Sequence, residues 1–164
     1  MYSSVQTRPL PEAALLAPYA MIEGGFTDCY AVDVPVVVSL ADYVAAFYTT
    51  PLFRMERGLL AIALREPSQD AQAVELAAGA RDSYSAWRVE ARTEAQLLMC
   101  PLGERTRSWL MVEPQGHSTR LFFGSAVVPQ GGGAGRGPLF RLLLGVHGVY
   151  SKALLASAAR RLGA

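Results

Sequence analysis

The chain has 164 residues, of which 51% are hydrophobic and 18% charged, with a net charge of +1. That suffices for one domain with a substantial core and is too apolar for a disordered segment. The balance lacks the basic excess that phosphate contacts demand, so no nucleic-acid partner is expected, and no run of about 18 uninterrupted apolar residues marks a membrane span.

Residues 1–26 carry Pro9, Pro11, Pro18 and the pair Gly24-Gly25, and read as an N-terminal arm laid over a single domain at 27–164. The apolar run Ala13–Ile22 contains Pro18 and lacks a basic leader, so it makes a poor signal peptide. From Thr27 to Pro35, Tyr30, Val32 and Val34 alternate with Cys29, Ala31 and Asp33, the period of a strand. Ser39 with Asp42 predicts a helix start, where the hydroxyl meets an orphan N–H and the carboxylate suits the positive end. Thr50-Pro51 predicts a second start, with proline where its missing N–H costs nothing. Leu52, Met55, Leu59 and Ile62 give that helix one apolar face, and Pro67 is its expected stop. A third helical piece is expected at about Gln69–Ala80, with Ser68 as its cap.

The second half changes period. Asp82–Arg92, Ala95–Cys100, Arg105–Glu113 and Ser118–Val128 read as four strands joined by tight turns, with Pro101-Leu102-Gly103 and Glu113-Pro114-Gln115-Gly116 as turn signals. Such short connections make an antiparallel meander. The glycine-rich stretch Gly131–Gly137 is a flexible connector; it lacks the Gly-Lys-Ser/Thr ending of a phosphate loop. It leads into a long helix from Pro138 to Leu162. Leu139, Leu142, Leu143, Val146, Val149, Tyr150, Ala153 and Leu154 are expected on its apolar stripe, and Gly145 and Gly148 permit close packing at its middle. The fold class is therefore α+β: an antiparallel sheet on a long C-terminal helix, with two or three short helices after the first strand.

This order of elements resembles the helix-grip arrangement of the START-like, birch-pollen-allergen-like superfamily. Within it, the chain is similar to a bacterial domain-of-unknown-function family found alone or fused behind epimerase-like domains. The segments that carry the likeness are Asp28–Pro35 (DCYAVDVP), Leu59–Glu66 (LLAIALRE) and Gly137–Leu162 (GPLFRLLLGVHGVYSKALLASAARRL). The resemblance implies a sheet wrapped around the last helix, and a cavity between them that takes lipids, sterols or polyketide-like molecules. His147 falls where the family's closing helix carries a central histidine. That family's aromatic residue and proline before the histidine are here Gly145-Val146, and its polar element in the central sheet is here Arg107-Ser108-Trp109-Leu110.

His147 is the polar group best placed for chemistry in such a cavity, and Tyr150, three residues on, shares its face. Trp87 and Trp109, with Tyr84, Phe122 and Phe123, are candidates for an apolar lining on the concave face of the sheet. His117 follows a turn and is expected in solvent. Asp28 and Asp33 fall on opposite faces of their strand. Cys29 and Cys100 lack metal-ligand spacing and read as buried thiols in a reducing compartment, so the cytoplasm is the expected location. No cofactor and no metal is expected. The leading functional reading is a small-molecule-binding domain, not an enzyme, that takes an apolar or amphipathic ligand between sheet and helix. The alternatives are a cyclase, aromatase or dehydratase using His147, and a structural module that docks a partner, such as a second copy of the chain in a homodimer.

Overall fold

Period-two alternation through the second half does build a meander, and the first strand joins it from the other end of the chain. The computed structural model describes residues 4–64, 68–101, 103–129 and 138–163, with 59–64 and 138–144 as backbone alone. Among the described residues the strands are β1 (Gln6–Thr7), β2 (Phe26–Val34), β3 (Ser83–Tyr84), β4 (Trp87–Arg92), β5 (Gln96–Pro101), β6 (Thr106–Gln115) and β7 (Ser118–Val127). They form one sheet in the order β1-β2-β7-β6-β5-β4-β3, antiparallel at every pairing. The helices are α1 (Ala17–Ala20), α2 (Leu40–Tyr48), α3 (Pro51–Leu64), α4 (Asp70–Ala77) and α5 (Pro138–Leu162). The chain is thus α+β, with a long C-terminal helix packed on β2, β7 and α2. Among the described residues no helix is long and apolar enough to cross a membrane.

The local signals act largely where the sequence places them. Ser39 Oγ accepts from the Asp42 N–H at 3.1 Å, and Thr50 Oγ1 accepts from the Phe53 N–H at 3.2 Å. At α4 the cap is Gln69 rather than Ser68: the Gln72 side chain reaches back to the Gln69 N–H at 3.0 Å. The expected strand Asp82–Arg92 is instead a hairpin. Tyr84 pairs with Trp87 across a two-residue turn, which Ser85 enters at φ 54°. Likewise Pro114 lies inside β6, and the turn is Gly116-His117, with Gly116 at φ 73° and His117 exposed. The register of β5 with β6 ends at Met111, so the missing N–H of Pro114 leaves no ladder bond unmade. Pro67, Leu102 and the connector Gly131–Gly137 lie outside the described residues, as do the side chains of Leu59, Ile62, Leu139, Leu142 and Leu143.

Each face of the sheet has its own core. On the helix face, Tyr30, Val32, Val34, Leu97, Leu110, Leu121 and Phe123 meet Phe47, Leu76, Leu154 and Leu155. On the other face, Cys29, Ala31, Leu98, Trp109, Phe122 and Ala126 lie under the N-terminal arm, whose Ala14 and Leu16 are buried among them. Gln96 fixes the arm there. Its Oε1 accepts from the Leu15 N–H and from Trp109 Nε1, both at 2.8 Å, while its Nε2 donates to the Ala13 carbonyl at 3.0 Å. The arm also adds β1 to the sheet edge, with Gln6 opposite Ala31.

The stripe expected on the last helix is rotated. Val146 is 61% exposed and Val149 72% exposed, and Ala153 also faces solvent. The buried face is Ser151, Leu154, Leu155, Ala158 and Ala159, with His147 and Tyr150 at its partly covered start. In an apolar helix with small residues throughout, leucine and valine do not by themselves mark the inner side. The alanines at the narrow contact do, because they let the helix approach the sheet. The helix runs unbroken through Gly145 and Gly148. A Cβ at Gly148 would lie 3.0 Å from the Tyr30 hydroxyl, whereas one at Gly145 would meet nothing.

Candidate functional site

Strand register lines up one polar row on the helix face. Asp28 of β2 is opposite Ser125 of β7, and Ser125 is opposite Ser108 of β6. The next row on the same face, Tyr30, Phe123 and Leu110, is apolar or aromatic. A slip of one residue would turn all of these to the other side. His147 of α5 sits over the polar row, its Nε2 3.0 Å from Ser125 Oγ and 3.8 Å from Asp28 Oδ2. Asp28 Oδ1 accepts the Ser125 N–H at 2.8 Å, while buried Oδ2 makes no hydrogen bond among the described residues. These three residue types invite comparison with a nucleophile relay. In such a relay, however, hydroxyl and carboxylate meet different ring nitrogens. Here one nitrogen faces both, so the group is a polar anchor for the imidazole.

Beside this anchor lies a cavity of about 100 Å³. Phe47, Tyr48, Phe53, Trp87, Phe123 and Leu154 form its apolar wall, and Glu56, Ser108, His147, Tyr150 and Ser151 bring polar groups to it. Glu56 reaches it from α3, where Phe53 points to the same buried side. The Tyr150 hydroxyl donates to Glu56 Oε2. Ser151 is fully buried and its Oγ has no hydrogen-bond partner among the described residues. A wider, open groove of about 520 Å³ runs between α2, α4 and the end of α5, but it lacks a comparable convergence of buried polar groups.

Burial governs the titration of these groups. It raises the Asp28 carboxyl above the ordinary aspartate range, against the opposing pull of His147, the Ser125 N–H and hydroxyl, and Tyr30. It likewise raises Glu56, opposed by the Tyr150 hydrogen bond and by His147. Burial, together with Glu56, pushes the Tyr150 phenol up, and burial, together with Asp28, pushes Tyr30 up to about 12. A carboxyl raised on folding stabilises the fold fully below its unfolded pKa, and that contribution is lost as pH rises through the folded value. Asp28→Asn removes the loss. Its melting temperature should exceed that of the wild type at neutral pH, and the gap should close near about pH 4; thermal melts across that range measure it.

Of the candidates read from the sequence, His147, Tyr150 and Trp87 come together at the cavity. Trp109 and Phe122 do not. Both lie on the opposite face, packed under the arm with ring centroids 6.0 Å apart. The reason is parity: in Phe122-Phe123 only one ring can face the helix, and the register gives that place to Phe123. Asp28 and Asp33 do face opposite ways; Asp33 pairs with Arg120 at 2.7 Å. Glu56, Ser125 and Ser151 were not anticipated. Ser151 was available from spacing, since it lies one helical turn after His147. Glu56 needed the packing of α3 against α5, which no local pattern encodes. Among the described residues no group of three or more His, Cys, Asp or Glu is placed to hold a metal ion. No protein-family model matches the chain, and no curated protein matches it significantly.

Proposed function

We propose that this protein is a small-molecule-binding domain of helix-grip architecture, with its ligand held between the sheet and the C-terminal helix. The observation that carries the reading is the cavity of about 100 Å³, walled by aromatic side chains and holding the buried, unpartnered Ser151 Oγ. Binding sites are typically concave and mostly apolar, with a few convergent polar groups that set orientation. An unpartnered buried hydroxyl costs about 1–3 kcal/mol, which a polar atom of a ligand would offset. Roughly 150 Å³ is needed to admit benzene, so the occupant is a small molecule or the end of a larger one, rather than a whole sterol or polyketide. The free, buried Cys29 and Cys100 support a reducing compartment such as the cytoplasm. Native mass spectrometry of freshly purified protein tests the proposal. A small adduct that leaves on unfolding is the expected result. A ligand-free spectrum that persists when small amphipathic molecules are added at millimolar concentration would overturn it.

A second reading, acid–base catalysis by His147, draws support from the contact of its Nε2 with Ser125 and from its place at the cavity wall. A histidine so held can take a proton from carbon next to a bound carbonyl. That reading requires deuterium exchange into an enolisable carbonyl compound, lost in His147→Gln. Binding without exchange leaves the non-catalytic reading alone.

A further inference from the structure

Among the described residues, the wall of the cavity is rich in aromatic rings and carries one carboxylate. Phe47, Tyr48, Phe53, Trp87, Phe123 and Tyr150 all line it. The rings form a connected group: Phe53 lies 5.6 Å from Trp87 and 4.8 Å from Tyr48, and Phe47 lies 4.9 Å from Phe123, centroid to centroid. Glu56 is the carboxylate on the wall, and neither lysine nor arginine is among the described residues that line it. Tyr150 occupies Glu56 Oε2, and among the described residues no hydrogen bond is made to Oε1. The buried Asp28 carboxylate lies just beyond His147, with Oδ2 unbonded. Among the described residues His147 is the one wall residue that can carry positive charge, and it is already held at Ser125.

Aromatic faces attract cations through the ring quadrupole, and most strongly where water is excluded. A neutral branched alkyl group would fill the same space but would offer the Glu56 carboxylate no opposite charge. We infer that the cavity takes a small organic ammonium head, its nitrogen between the aromatic wall and the Glu56 carboxylate. Size agrees. If about 150 Å³ takes the six carbons of benzene, the cavity takes about four heavy atoms, the number in a trimethylammonium head. A free amino alcohol and the head group of a larger molecule share this chemistry.

The inference rests on the binding reading above, and the test separates the two. Titration calorimetry on the full chain compares choline with its neutral isostere, in which a tert-butyl group replaces trimethylammonium. Choline should bind about tenfold tighter or better. Glu56→Gln should shrink that preference severalfold with its circular dichroism unchanged. Trp87→Leu, at the partly exposed rim, should also shrink the preference, and serves if Glu56→Gln does not fold. Equal binding of both compounds by the wild type overturns the ammonium inference and leaves the cavity reading standing. Binding of neither overturns the inference as well, while fragments of other chemistry then judge the cavity. A preference for choline that survives both substitutions places charge recognition elsewhere and overturns it too. Parallel titration with choline-headed micelles separates a head group from a free amino alcohol.

Discussion

Trp109→Ala is expected to cost about 3–5 kcal/mol and to lower the melting temperature by roughly 10 °C, without touching the cavity. Trp109 is 0% exposed and packs under the arm with Leu16, Leu98 and Phe122. Truncation removes a large buried ring and leaves a void that the rigid sheet cannot close. It also takes the donor from Gln96 Oε1, which the Leu15 N–H shares. The arm should therefore loosen, which limited proteolysis within residues 10–20 would detect. Since domains of this kind are stable by only about 5–15 kcal/mol, the loss is a large share of the whole. A denaturant melt gives the cost directly. Ligand binding by whatever fraction remains folded should be unchanged, because Trp109 is on the far side of the sheet.

Gly124→Val should be comparably damaging for the opposite reason, too much volume. Gly124 is paired with Trp109 on β6 and Cys29 on β2. A Cβ there would lie 2.8 Å from the Asp28 carbonyl oxygen and 3.0 Å from both the Trp109 ring and the Leu16 side chain. The nearest atom is backbone, so a rotamer change cannot relieve the contact. The expected cost is about 3 kcal/mol, with β2 displaced from β7. Unlike Trp109→Ala, this change reaches the site. Gly124 adjoins Ser125, and the Ser125 N–H bond to Asp28 depends on the spacing of those two strands. A variant that melts early and also loses ligand affinity is the expected result. Gly124→Ala should fall between it and the wild type.

The contrast between these residues and the cavity reflects what a sequence encodes locally. Helix starts were legible because the causes are neighbours: Ser39 meets Asp42, and Thr50 meets Phe53, each within one turn. The antiparallel meander was legible from alternation between turn signals. Parity was not. Choosing Phe123 over Phe122 for the helix face requires knowing which row of β7 joins Tyr30 and Leu110, a fact of register between strands far apart in sequence. The turn at Ser85 was hidden because serine rarely adopts positive φ, and nothing nearby announces it. The arm looked like a loose cover because its prolines break regular structure. Its hold on the sheet comes from Gln96, about eighty residues away, and from one buried leucine.

The site was half legible for the same reason. His147 and Tyr150 stand out on their helix, and Ser151 follows from helical spacing. Glu56 is an ordinary surface-type residue in an amphipathic helix until α3 meets α5. The site's character depends on that meeting, because Glu56 adds a carboxylate to an otherwise aromatic wall.

The central claim is that the space beside Ser151 holds a ligand. Saturation-transfer NMR with a panel of small amphipathic fragments tests it most directly, on the wild type and on Ser151→Leu, whose larger side chain would fill the cavity and whose loss of Oγ removes the unpartnered hydroxyl. Fragments that bind the wild type and lose their signal in a well-folded Ser151→Leu, which lacks the hydroxyl, are the predicted result. Signals that do not depend on residue 151, or no signals at all, would contradict it.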